Sequence, residues 1–294
     1  MEKAILRTLA YFDIFDYPVF PWEIHKWLVG EKTTLFKVEE ELKKLEKKGK
    51  VQSFKGYFFL RGRKSLVKKR LERKKISESQ LGEVRHFSRL FKIIPFLKMV
   101  GVSGSLSMKN SDKSDDIDLF VVTGRNRLYL TRLSFLFLLE VLGRRRRKGE
   151  KGQEIVKKYC INILLDESSL GQQDRNIYIA HEVLQMMPLW EREDVYSKFL
   201  SDNEWALKLL PNWLTNFENK LKVKNQKSKA QVKSEKFISR ILDILEELVK
   251  SYQLRIMGRP NGKERILDGA LYFLPDDNQE RVLSEYKLRT KNLR

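Results

Sequence analysis

Residues 96–102 (FLKMVGV) and 117–123 (IDLFVVT) are apolar runs held apart by one polar stretch, SGSLSMKNSDKSDD. Each run is too short for a buried helix and reads as a strand, the second apolar enough to be fully buried. Between them "SLSMKN" reads as a helical turn. A third run, YCINILLDE (159–167), reads as another strand. RNRLYLTRLSFLFLLEVLG, which precedes it, reads as a helix stopped by Gly143. The pattern predicts an α+β fold, a small mixed sheet with helices. The polar stretch gathers Asp115, Asp116 and Asp118 into four residues, in a chain whose 59 Lys+Arg outnumber 39 Asp+Glu. Such an acidic knot at the mouth of a buried strand needs a cause.

Alternate residues of a strand face one side, so Asp116 and Asp118 project together while Ile117 and Leu119 enter the core. Two neighbouring carboxylates repel and destabilise each other unless a cation joins them. A hard, oxygen-loving ion such as Mg²⁺ or Mn²⁺ suits that place and is commonly shared with substrate phosphates. Upstream, Gly104 lets backbone approach a ligand, and the free N–H groups and hydroxyl at Ser105 suit a terminal phosphate. Lys109, Lys113 and Arg125 flank the acidic end as candidate triphosphate contacts, or as solvated turn cations. Three histidines (His25, His86, His181) and one cysteine, Cys160, cannot build an ordinary zinc site.

Gly104-Ser105, ten further residues, then Asp116-Ile117-Asp118-Leu119 resembles the signature of the nucleotidyltransferase superfamily related to DNA polymerase beta. "SDDIDLFVV" is similar to its small bacterial and archaeal members. The resemblance spans residues 96–166 and implies a short mixed sheet with helices on one side. It also implies that the Gly104-Ser105 turn holds an NTP, with Lys109 the candidate contact beside it, and that Asp116 and Asp118 bind two Mg²⁺ ions. An acceptor hydroxyl then attacks the α-phosphate and pyrophosphate leaves. The family's third carboxylate corresponds to Asn162, whose amide oxygen can join a metal but carries no charge and cannot act as a base. Asp166 and Glu182 are the nearest other carboxylates, read as a strand-end turn residue and a helix-face residue.

Around this core the sequence divides into four parts. Residues 1–62 carry three helical patterns and two short strands around Lys55-Gly56, which resembles a winged helix-turn-helix. Residues 63–95 form a basic helical connector, 96–195 the nucleotidyltransferase domain and 196–294 a helical C-terminal domain. "NIYIAHEVLQMMPLW" reads as one helix, "RRRRKGEKGQE" as an exposed basic loop, residues 222–235 as a loose linker, and "RPNGKERILDGALYFLPDD" as a turn with a short hairpin.

The formal charge of +20 points to a polyanionic partner, whether RNA or another nucleic acid, an anionic membrane or a phosphate-rich substrate, or else to solvated basic faces. Arg144–Arg147 are open to three readings: nucleic-acid backbone, polyphosphate or solvent. Glu39, Glu40 and Glu41 in the early turns of the third helix oppose ordinary operator reading. No apolar run reaches the length of a membrane span, and the single cysteine fits a reducing compartment, so the expectation is a cytoplasmic protein without a membrane partner. A protein acceptor stays open. The leading expectation is an Mg²⁺-dependent nucleotidyltransferase. The alternatives are a nucleic-acid-binding or regulatory protein that senses nucleotides without turnover, and an interaction scaffold.

Overall fold

The computed structural model describes residues 1–147, 149–150, 152–214, 236–257, 264–273 and 278–291. The segment read as a loose linker lies outside the described residues. The chain opens with α1 (Glu2–Asp13), α2 (Pro21–Lys26) and α3 (Leu35–Lys47), followed by an antiparallel hairpin of β1 (Val51–Phe54) and β2 (Tyr57–Leu60). Apolar residues at helical spacing close this unit: Ile5, Leu9, Ile24, Leu28, Val38, Leu42 and Leu45 are almost wholly buried. Thr34 caps α3 by accepting the Lys37 N–H. Lys55 and Gly56 both take positive φ, which the tight hairpin turn requires.

The basic connector forms α4 (Leu66–Phe87). Next come β3 (Leu97–Val102), the short α5 (Gly104–Ser107), β4 (Ile117–Thr123), α6 (Leu128–Val141), β5 (Tyr159–Asp166), α7 (Ile177–Gln185), β6 (Met187–Glu191), α8 (Val195–Asp202) and α9 (Ala206–Leu209). The last elements are α10 (Lys236–Met257), β7 (Arg265–Leu267), β8 (Ala270–Tyr272) and α11 (Asn278–Thr290). One mixed six-stranded sheet runs in the order β6-β3-β4-β5-β8-β7, with β4 and β5 parallel and the other pairs antiparallel.

Both faces of the sheet are covered, whereas the resemblance implied helices on one side. Met99, Phe120, Val122 and Leu165 pack with α7 and α8 residues such as Val183, Leu184 and Phe199. Val100, Val102, Leu119, Val121 and Leu164 pack with Phe91 and with Phe135 and Leu139 of α6. Continuous apolar runs such as Phe120-Val121-Val122 give each face of a strand something to bury, so both sides need a cover.

Two other expectations change. "NIYIAHEVLQMMPLW" is not one helix: α7 stops at Gln185 and Met187–Glu191 becomes β6, an edge strand beside β3. Pro188 supplies no helical N–H, and Gly101 lets the chain pass close to β3. A Cβ there would lie 2.5 Å from Met186 Sδ and 2.9 Å from the Met187 carbonyl oxygen. The C-terminal part, read as a helical domain with a short hairpin in "RPNGKERILDGALYFLPDD", forms that hairpin as β7 and β8, but β8 pairs with β5 and so extends the main sheet. α10 lies on α6, where buried Glu246 accepts the N–H groups of Tyr129 and Leu130 and so caps α6 from outside its own sequence.

Candidate functional site

The site forms at the sheet end where β3 leaves and β4 and β5 enter. Asp116 immediately precedes β4 and Asp118 lies within it, on the face that also carries Cys160 and Asn162 of β5. The β4–β5 register slips between Leu119↔Ile161 and Phe120↔Ile163, so Asn162 is the extra residue of a bulge. Its Nδ2 donates to Asp118 Oδ1 at 2.5 Å, while its buried Oδ1 has no hydrogen-bond partner.

Gly104 crosses directly over Asp118. Its φ is +60°, and a Cβ would lie 2.7 Å from Asp118 Oδ2. Both facts demand glycine: the left-handed backbone and the close approach to the carboxylate. Ser103 N–H donates to the Asp118 carbonyl, tying turn and strand together. Ser105 Oγ donates to Asp115 Oδ2 at 3.1 Å, and Asp115 also accepts the Asp112 N–H. The third aspartate of the knot therefore braces the loop, leaving Asp116 and Asp118 as the pair.

Burial raises the Asp118 carboxyl well above its ordinary range, with Asp116 and then Glu182 adding like charge. Burial likewise raises Asp116, against the pull of Arg146. Arg146 Nη1 sits 2.5 Å from Asp116 Oδ2, so a guanidinium from the loop after α6 takes up part of the negative charge. Glu182 accepts the Gly104 N–H, and Gln185 Nε2 donates to it at 2.5 Å. Its side chain keeps some exposure, yet desolvation raises it to about 7. Cys160, beside the pair, is pushed up to about 12 by burial and then by Asp118.

The donor set is hard: carboxylate oxygens of Asp116 and Asp118 and the amide oxygen of Asn162. The unpartnered Asn162 Oδ1 and the strained carboxylate pair fit an oxygen-seeking cation such as Mg²⁺. Among the described residues no three His, Cys, Asp or Glu side chains stand together as a metal-holding group, so the set is two carboxylates and an amide.

The loop after α5 is clamped from the N-terminal side. Tyr17 Oη donates to the Met108 carbonyl at 2.8 Å, Asn110 Nδ2 to the Phe15 carbonyl at 3.0 Å, and Arg70 Nη1 to the Lys109 carbonyl at 3.0 Å. Arg70 and Glu23 are both buried, and the Arg70 guanidinium stacks 3.9 Å from the Tyr17 ring centroid. This Tyr17–Glu23–Arg70 network fixes the turn from residues that sequence reading did not single out.

The other candidates fall as follows. Gly104, Ser105, Asp116, Asp118 and Asn162 come together. Lys109 lies at the end of the turn with its ammonium 3.3 Å from Glu78. Arg125 does not flank the acidic end: it follows the far end of β4, roughly 20 Å away at about 3.3 Å per strand residue. Asp166 closes the far end of β5, accepting from Asn126 and Ser168, and is the turn residue it was read as. Arg144–Arg147 lie in the loop after α6, Arg147 exposed and the others half-buried, and each is ion-paired: Arg144 with Glu83, Arg145 and Arg147 both with Glu140, and Arg146 with Asp116. A cleft of about 680 Å³, lined by Arg7, Val29, Ile177, Leu209, Tyr286 and Lys287 among others, opens elsewhere, and no residue of the acidic site lines it.

No helix among the described residues is long and apolar enough to cross a membrane. No protein-family model matches the chain, and no curated protein matches it in sequence.

Proposed function

We propose that the chain is a metal-dependent nucleotidyltransferase, moving a nucleoside monophosphate from an NTP to an acceptor hydroxyl with loss of pyrophosphate. The observation that carries this reading is the Gly104 backbone lying over the Asp118 carboxylate, beside Asp116 and the unpartnered amide oxygen of Asn162. Mg²⁺ or Mn²⁺ held by those oxygens would neutralise charge on the transferring phosphate. The turn at Gly104 and Ser105 is the phosphate cradle, with Lys109 at its end, and the Tyr17–Arg70 clamp keeps it in place. Asn162 cannot accept a proton. Glu182, close to neutrality and against the same turn, is the candidate to receive one from the acceptor.

A second reading, nucleotide sensing without turnover, draws on Arg146 and Asn162, which already satisfy one oxygen of each carboxylate. Incubation with each α-labelled NTP, Mg²⁺ or Mn²⁺, and total RNA or protein separates the two. Label transfer is the result expected of the enzyme. Binding without transfer favours sensing, and absence of both binding and transfer contradicts each.

A further inference from the structure

The most anomalous surface lies away from the acidic site, on α10. One side of this helix faces α6 through Glu246, which caps it, and through Gln253, which accepts from Arg132 and donates to the Tyr129 carbonyl. The opposite side carries Ile241, Ile244, Leu245, Leu248, Tyr252 and Ile256, all exposed large apolar residues. At about 100° per residue these six fall within an arc of about 120°, a single stripe. Leu248 is 62% exposed, Tyr252 60% and Ile256 66%, values ordinarily found for charged side chains. On the adjoining α6, Phe137 at 70% and Val141 at 68% are equally bare. A helix facing water normally turns its polar side outward, and an apolar stripe of this size marks an interaction surface.

We infer that the α10 stripe is the interface of a homodimer, its occupant the same stripe of a second copy of this chain. Residues 241, 245, 248 and 252 follow the four-three-four spacing by which one helix receives the knobs of another. A two-fold axis needs only one patch, since the same surface serves both subunits. The exposed parts of the six residues amount to roughly 600 Å², at the lower end of the ~600–1,000 Å² per partner that a stable complex buries. The formal charge of +20 on each copy opposes association, so the pairing must be apolar in origin and must strengthen as salt screens the repulsion. Binding of a polyanion has the opposite salt dependence. The inference is independent of the nucleotide reading.

Sedimentation equilibrium of the full chain at low and high salt tests it. A dimer tightening with salt is expected. Leu248→Glu should weaken it at least ~tenfold, and Tyr252→Arg should do the same. Phe36→Glu, at an exposed apolar residue of α3, should leave the dimer intact. Circular dichroism melts should show all three variants folded, since every changed side chain is exposed. A monomer at both salts, a dimer indifferent to both α10 variants, or one lost equally with Phe36→Glu would overturn the proposal.

Discussion

Asn162 limits what the acidic pair can do. Its Nδ2 donates to Asp118 Oδ1, so Asn162→Asp exchanges a donor for a carboxylate facing a carboxylate. In EDTA the variant should lose ~1–3 kcal/mol of stability. Mg²⁺ should restore most of that loss and tighten NTP binding beyond wild type. Thermal melts with EDTA, Mg²⁺ and Mg²⁺–NTP measure both effects, and a loss indifferent to Mg²⁺ would remove Asn162 from the metal shell. Asp116, Asp118 and Gly104 were legible in the sequence because strand alternation and the short Gly-Ser turn are local. Glu182 could be named only as a helix-face carboxylate and Arg146 only as one of a basic run, since α7 and the loop after α6 bring them to the pair through tertiary contacts that leave no mark of spacing. The bulge at Asn162 was equally silent, because nothing around YCINILLDE announces an extra residue.

Among the elements, α7 joins the Gly104 turn to the N-terminal helices. Glu182 holds the Gly104 N–H, and the preceding His181 points into an aromatic cage. Its ring stacks 3.9 Å from Tyr11 and 5.0 Å from Trp27, and meets Phe12 edge-on. Both ring nitrogens are buried without hydrogen-bond partners, and burial lowers the imidazole to about 3. The unfolded chain therefore takes up a proton near pH 6.5 that the folded chain refuses. Stability from this group is complete above pH 6.5 and falls by roughly 1.4 kcal/mol per unit as pH drops toward 3. His181→Phe keeps a ring in the stack and should flatten the fall between pH 6.5 and 4. Urea titrations across that range test this, and equal slopes in both proteins would contradict it. Helices and strands with unbroken patterns, such as α3 and β4, could be read in advance. β6 could not, because its pairing depends on the missing side chain of Gly101, distant in sequence.

Across the whole molecule, the distribution of charge matters more than its sum. All four arginines at 144–147 are paired with acids, whereas Lys68 and Lys75 lie exposed on one face of α4 with Lys64 just ahead of it. The early surface of α3 offers exposed Leu35, Phe36, Glu39 and Glu40, which suits a protein better than phosphates. If nucleic acid binds, Lys64, Lys68 and Lys75 should carry it. Replacing them with serine should reduce the salt slope by about one unit per lost phosphate contact. Arg144, Arg145 and Arg147 to serine should change that slope less, since each already faces an acid, Arg145 and Arg147 sharing Glu140. Fluorescence anisotropy with single-stranded RNA at several salt concentrations decides this. A slope reduced by the arginine changes alone would return the binding surface to the 144–147 segment.

The central claim is that Asp116 and Asp118 form a cation-dependent nucleotide site beneath the Gly104 turn, and calorimetric titration with NTP tests it most directly. Wild type should bind NTP tightly only with Mg²⁺ or Mn²⁺. Asp118→Asn, freed of a buried charge, should melt no lower than wild type and lose that metal dependence. Identical metal-dependent NTP binding in the two proteins, or none in wild type with any NTP, would contradict the account.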